Sequence, residues 1–249
     1  MIKPILLLSL LPLSLFANTI TIAAAANVSY AFEDLKKAFN NHYPNTKVRV
    51  VLGSSGKLFA KISNGAPYDL FLSANMKYPN TLYKKRLALN EPIVYAKGSL
   101  AFLSKKPRNF SSSMAILLKD DIKKIAVANP KTAPYGVAAF EALAKAKILD
   151  TLIRKFVYGE SISQTVSYAL IAADIGIIAK SSLYSSKMKN FKENIHWATI
   201  DTQFYTPIQQ GMVKLKHGQN KPEVQDFYDF ILSDEAQAIF KTYGYQSYE

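Results

Sequence analysis

The chain has 249 residues, a net charge of +13, no cysteine, and 49% hydrophobic against 20% charged residues. That composition excludes a disordered, fibrous or disulfide-stapled protein, and the length allows one large domain or two modest ones. A basic chain can attract nucleic acid or small anions, but its lysines are spread without interleaved aromatics, so Lys36-Lys37, Lys84-Lys85 and Lys123-Lys124 read as solvated faces and no nucleic-acid binding is expected.

The first element is a targeting segment. Lys3 precedes an apolar run over 5–16, interrupted by Ser9, Pro12 and Ser14. The run is short for a bilayer and Pro12 would break it, so 1–17 is expected to be a signal peptide. Ala17 suits the last residue before cleavage, although Leu15 is larger than usual two places earlier. No cysteine follows to carry a lipid anchor, and no later stretch has the length and apolarity of a membrane span. The mature chain is therefore expected to be exported and soluble.

Beyond residue 17, short β-rich runs alternate with helical periodicity. Strands are expected over 19–24, 47–52, 69–73, 99–105, 123–129, 155–158, 174–178 and 207–215. Val28, Ala31, Phe32, Leu35 and Phe39 share one helical face. Leu58 and Ile62 share another, and Phe227, Phe230 and Ile231 a third. Ser233 then caps a last helix, with Asp234 and Glu235 favourable in its first turn and a stop at Gly244. Such alternation indicates parallel α/β sheets, either one doubly wound sheet or two smaller ones. The segments 92–99 and 202–207 are candidate crossings between two lobes.

The informative residues stand where strands end and helices begin. Helix N-termini there present free N–H groups and a positive dipole end, which suits anions. Ala26-Asn27-Val28-Ser29 follows the first strand, and the small residues Ala23 to Ala26 permit close approach to the backbone. Gly53-Ser54-Ser55-Gly56 pairs glycines with hydroxyls, although it lacks phosphate-loop spacing. Pro134 suits a first helical position, which places Tyr135 at a helix start. Ser161 and Gln164 fit a capping box, so the N–H groups of Ile162 and Ser163 would open a helix. Ordinary capping explains each turn alone; the four together suggest a cleft.

At these positions the chain resembles the periplasmic molybdate-binding proteins, which have a two-lobed α/β fold of the type II binding-protein class. The likeness rests on "AAAANVSYAFEDL" (23–35), "GSSGKLFAKISNGAPYDLFLSAN" (53–75), "NPKTAPYGVAAFEAL" (129–143), "DIGIIAKSSL" (174–183) and "FYDFILSDEAQAIFKTYGY" (227–245). It implies lobe I over 18–94 and 205–249, and lobe II over 95–204, with an oxyanion between them. Neutral donors would come from Asn27, Ser55, Tyr135 and the backbone of Ile162, with Ala26, Ser54 and Ser163 as further candidates. Asn27 stands where many members have Ser, and Ala179 where some have a ligand-binding Tyr; Tyr135 would supply the hydroxyl instead. The resemblance also implies molybdate or tungstate as cargo, no cofactor, no direct metal ligand, a monomer, a periplasmic location and the permease of an ABC importer as partner.

The residues themselves point the same way. Almost no carboxylate adjoins the four turns, Glu160 excepted. A donor-only site suits a fully deprotonated dianion such as molybdate, tungstate or sulfate, whereas phosphate still carries a proton at neutral pH. Lys57 and Lys131 lie near two turns and would steer the anion. An exported serine hydrolase is the competing class. Ser54 and Ser55 lack a G-x-S-x-G elbow, and His42, His196 and His217 fall outside all four turns. Without cysteine or clustered histidine, catalytic zinc is not expected.

Overall fold

A computed structural model describes residues 18–248, so the expected signal peptide lies outside the described residues. Branched and aromatic runs form ten strands: β1 (Asn18–Ala25), β2 (Thr46–Gly53), β3 (Leu70–Ser73), β4 (Ile93–Gly98), β5 (Leu100–Leu103), β6 (Ile125–Ala128), β7 (Phe156–Gly159), β8 (Ile175–Ala179), β9 (Trp197–Thr199) and β10 (Ile208–Lys214). Eight α-helices alternate with them: α1 (Ser29–His42), α2 (Ser55–Ser63), α3 (Lys77–Lys84), α4 (Pro134–Lys145), α5 (Leu149–Leu152), α6 (Ile162–Ile171), α7 (Pro222–Leu232) and α8 (Asp234–Thr242).

Two five-stranded sheets result, which decides between the alternatives left by the sequence. Their orders are β2-β1-β3-β10-β4 and β7-β6-β8-β5-β9. Each contains a parallel trio, β2-β1-β3 or β7-β6-β8, extended by two antiparallel pairings. The parallel strands β3, β6 and β8 are buried along their whole length, as strands covered on both faces must be. Helices α1, α7 and α8 cover one face of the first sheet, where Phe39 meets Phe227 and Phe230 edge-on at 4.9 and 5.5 Å. Helix α4 packs on the second sheet through Ala138, Ala139, Ala142 and Leu143. The stripe of Val28, Ala31, Phe32, Leu35 and Phe39 is wholly buried.

Two strands differ from the sequence expectation. The segment 92–99 is mostly β4, which pairs with β10 because Tyr95 and Ala96 are core residues. The chain thus passes between sheets at Ser99, just beyond the expected division after residue 94. Strand β9 has only three residues at a sheet edge, too few to leave a periodic signal. The return to β10 runs through a 3-10 turn, Thr202–Phe204.

Ser233 caps α8 by accepting the Ala236 N–H at 3.3 Å, and Gly244 ends that helix at φ +73°. Asp69, read as the start of β3, sits one residue before it and is completely buried. Its carboxylate accepts from the Thr21 N–H (2.7 Å) and from Lys221 Nζ (3.0 and 3.1 Å), and lies 2.6 Å from His217 Nδ1. It thereby ties β1, β3 and the segment before α7 together. Removing the buried carboxylate strands the partners it holds, and here Lys221 and His217 both stay partly solvated. Asp69→Ala should therefore cost about 3 kcal/mol, read as a lower urea midpoint with an unchanged slope.

Candidate functional site

The four helix starts singled out in the sequence converge. A 3-10 turn, Ala26–Val28, follows β1; α2 follows β2; α6 follows β7; α4 follows the loop after β6. All lie beyond the carboxyl ends of parallel strands, two from each sheet. Between them is a small cavity, lined by residues 25–27, 53–55, 74, 133–135 and 162. No lining residue carries a charge. Alanines at 25, 26, 74 and 133 keep the walls thin and let backbone approach the interior.

Ser55 is fully buried at the first position of α2, where its N–H has no intrahelical acceptor. Its hydroxyl oxygen accepts the Ala74 N–H at 2.9 Å, which leaves the hydroxyl proton free to donate. Ser54, the residue before α2, makes no capping bond, and its buried hydroxyl has no partner. Ile162 opens α6 in the same manner as Ser55 opens α2. The capping box forms in shifted shape: Ser161 accepts from the Gln164 N–H at 3.3 Å, while Gln164 Oε1 accepts from the Glu160 N–H at 2.7 Å. Ser163, a candidate ligand in the sequence, does not line the cavity; its hydroxyl donates to the Ala26 carbonyl at 2.9 Å.

Asn27 and Tyr135 rest on a buried polar network. Asn27 Nδ2 donates to Gln210 Oε1 (2.9 Å) and to Tyr245 Oη (2.8 Å), while the Tyr245 hydroxyl donates back to the Asn27 carbonyl at 3.0 Å. Both amide hydrogens are thus spent inside the protein. The residue holds the turn in place, and what it offers the cavity comes from the backbone where the 3-10 turn opens. Tyr135 is equally buried, and its hydroxyl makes no hydrogen bond of ordinary geometry. Burial pushes that hydroxyl well above the usual tyrosine range; the Tyr245, Tyr95 and Tyr205 hydroxyls push it further, and the nearby Gln210 amide opposes the rise. It is a neutral donor at any physiological pH. Ala179 ends β8, buried against Leu100 in the neighbouring strand and away from the cavity lining.

Contacts from both sheets clasp the cavity. The Gly56 N–H donates to the Thr132 carbonyl at 2.9 Å, and the Ser181 hydroxyl donates to the Asn27 carbonyl at 3.2 Å. Lys57 pairs with Glu160 across the rim, so the one carboxylate near the turns is neutralised and that lysine is not directed at the interior. A Cβ on Gly56 would lie 2.8 Å from the Thr132 carbonyl oxygen, so only glycine permits this approach. The histidines are engaged elsewhere: His42 with Glu235, His196 with the Lys192 N–H and with the ring of Phe191, His217 with Asp69. Among the described residues no histidine partners Ser54 or Ser55, and no group of three or more metal-ligating side chains forms.

The sequence did not single out Gln210, Tyr245, Ser181 or Gly98. Gln210 adjoins Gln209 in one strand, and nothing local distinguishes the buried amide from the exposed one.

A model of the bacterial extracellular solute-binding protein family matches residues 20–246. The molybdate-binding protein ModA of Azotobacter vinelandii is 32% identical over 92% of this chain and 90% of its own. Its namesake from Rhodobacter capsulatus is 32% identical over 92% and 88%. The solved structure of the Azotobacter vinelandii periplasmic molybdate-binding protein superposes with a TM-score of 0.84 at 31% identity, covering 91% of this chain and 98% of that one. With the two-sheet architecture and the cavity between the sheets, these matches make the chain a member of the bacterial extracellular solute-binding protein family.

Proposed function

We propose that this protein captures molybdate or tungstate between its two lobes, in the periplasm after loss of residues 1–17, and delivers it as a monomer to the permease of an ABC importer. One observation carries the reading: a small uncharged cavity where helix starts from two sheets converge, with hydroxyl and backbone donors and no carboxylate in its lining. The ligand donors are the Ser55 hydroxyl, the Tyr135 hydroxyl and the backbone of residues 26, 27, 55 and 162. The lobes divide at Ser99 and in the stretch before Ile208. The names of the similar proteins supply the choice of molybdate over other dianions. Lys131 and the general positive charge raise the local anion concentration without touching it. A binding role also fits the absence of any serine–histidine pair at Ser54 and Ser55, where a hydrolase would need one.

A ligand that binds only the folded state raises stability by mass action, by about 2.7 kcal/mol at a concentration 100 times Kd. Molybdate and tungstate should thus raise the melting temperature of the mature protein by several degrees. Phosphate at equal concentration should not, because its proton would find no carboxylate. Phosphate stabilising as strongly as molybdate would overturn the donor-only reading.

Tyr135→Phe keeps the ring and removes one donor. A hydrogen bond to a charged group is worth about 1.5–3 kcal/mol, so calorimetry should show molybdate affinity reduced by roughly tenfold to a hundredfold. Ser55→Ala should lose less, because the residue 55 N–H remains. An unchanged affinity in Tyr135→Phe would mean that the ring only covers the cavity.

Gly56→Ala places a methyl group against the Thr132 backbone. The lobes should then fail to meet fully, with affinity at least about tenfold weaker. Alanine is the better helix former, so the melting temperature without ligand should hold or rise. Small-angle scattering showing the same ligand-induced compaction as the parent protein would contradict this.

A further inference from the structure

Gln210 lies in β10, completely buried, and its two functional ends do different things. Oε1 accepts from Asn27 Nδ2 at 2.9 Å. Nε2 donates one hydrogen to the Ile208 carbonyl at 2.9 Å, and an amide nitrogen carries two. The second hydrogen remains available, and the Tyr135 hydroxyl lies close by. An ideal Cβ built on Gly98 would stand 2.1 Å from Tyr135 Oη and 2.9 Å from Gln210 Nε2, so both groups crowd the same backbone point where β4 ends and the chain crosses between sheets.

The direction of these donors matters. A tyrosine hydroxyl has one proton and can also accept. If a neighbouring acceptor took that proton, the hydroxyl would present only lone pairs to the cavity and would repel an anion. Gln210 instead offers a donor, because its acceptor is already committed to Asn27. No protein acceptor takes the Tyr135 proton, and the residue lines the cavity. Donation from Gln210 into the Tyr135 oxygen would polarise the O–H bond and strengthen its own donation onward.

We propose that Gln210 is a positioning residue that fixes the Tyr135 hydroxyl as a donor to the bound oxyanion while anchoring Asn27 with its other end. The proposal rests on the oxyanion reading of the cavity. Gln210 touches no ligand; it acts through Tyr135, and Gly98 supplies the space in which the two meet.

A double-mutant cycle tests this, with molybdate affinity measured by calorimetry in the wild type, Gln210→Met, Tyr135→Phe and the double variant. Gln210→Met preserves length and burial while removing the donor. It should weaken binding about tenfold in the wild type but less than about threefold in Tyr135→Phe, where no hydroxyl remains to orient. A merely structural role would give the same fold-loss in both backgrounds, and that result would overturn the proposal, as would unaltered affinity in Gln210→Met. A second cycle needs no change at Gln210. Gly98→Ala drives a methyl group into the Tyr135 hydroxyl, so its loss of affinity should shrink at least about threefold in the Tyr135→Phe background. Equal losses there would likewise count against the proposal. Wild-type protein that bound neither molybdate nor tungstate would sink the oxyanion reading itself, whereas tight wild-type binding with additive losses would overturn the role of Gln210 alone.

Discussion

An anion with two charges cannot be buried unless its lost hydration is replaced, and the cavity has no cation with which to do it. Oriented hydrogens must supply the whole compensation. A single helix start contributes about 0.3–1 kcal/mol through its dipole, whereas each hydrogen bond to a charged group contributes about 1.5–3 kcal/mol. Donors therefore outweigh dipoles, and their number and aim decide the site. This is why helix starts from both sheets must meet at one point, and why the chain divides between two sheets with a crossing at Ser99. Either sheet alone would present two helix starts, and half of any anion's surface would stay in water.

The same constraint explains how the interior behind the cavity is built. Asn27, Gln210, Tyr245 and Ser181 form a connected set in which hydroxyl and amide hydrogens end mostly on one another or on backbone carbonyls, while Asn27 Oδ1 keeps no partner. The set joins the first turn, β10, the C-terminal segment and the lobe that carries Ser181. Tyr245 reaches it because Gln246 continues the sheet edge by exchanging backbone hydrogen bonds with Lys97. The C-terminal tail thus braces Asn27 from behind the cavity lining. Asn27 illustrates the outcome: it lines the cavity while both of its amide hydrogens are bonded to Gln210 and Tyr245.

Charge takes a separate role from recognition. Lys57 lies next to the cavity in sequence, yet in the structure it neutralises Glu160 across the rim. The buried Asp69 cluster anchors β1 and β3 well outside the cavity lining. Charges thus stabilise the scaffold outside the cavity, and neutral groups line it.

The sequence by itself determined the alternation of strands and helices, the buried stripe of α1, the cap and stop of α8, and the four polar turns. Those features are local: each depends on side-chain periodicity, on a capping hydroxyl or on a proline or glycine within a few residues. The identity of Ser55, Tyr135 and Ile162 as cavity residues was legible for the same reason, since each opens a helix after a strand or a proline. Only the tertiary structure decided that there are two sheets, that 93–98 is a strand of the first, and that the Asn27 amide faces inward to Gln210. It also decided which of the adjacent Gln209 and Gln210 is buried, and why residue 98 must lack a side chain. Each of these depends on groups far apart in the chain, such as Asn27 and Tyr245, that meet only when both sheets are assembled. Local chemistry placed the donors at helix starts; long-range packing determined which of their hydrogens remain free.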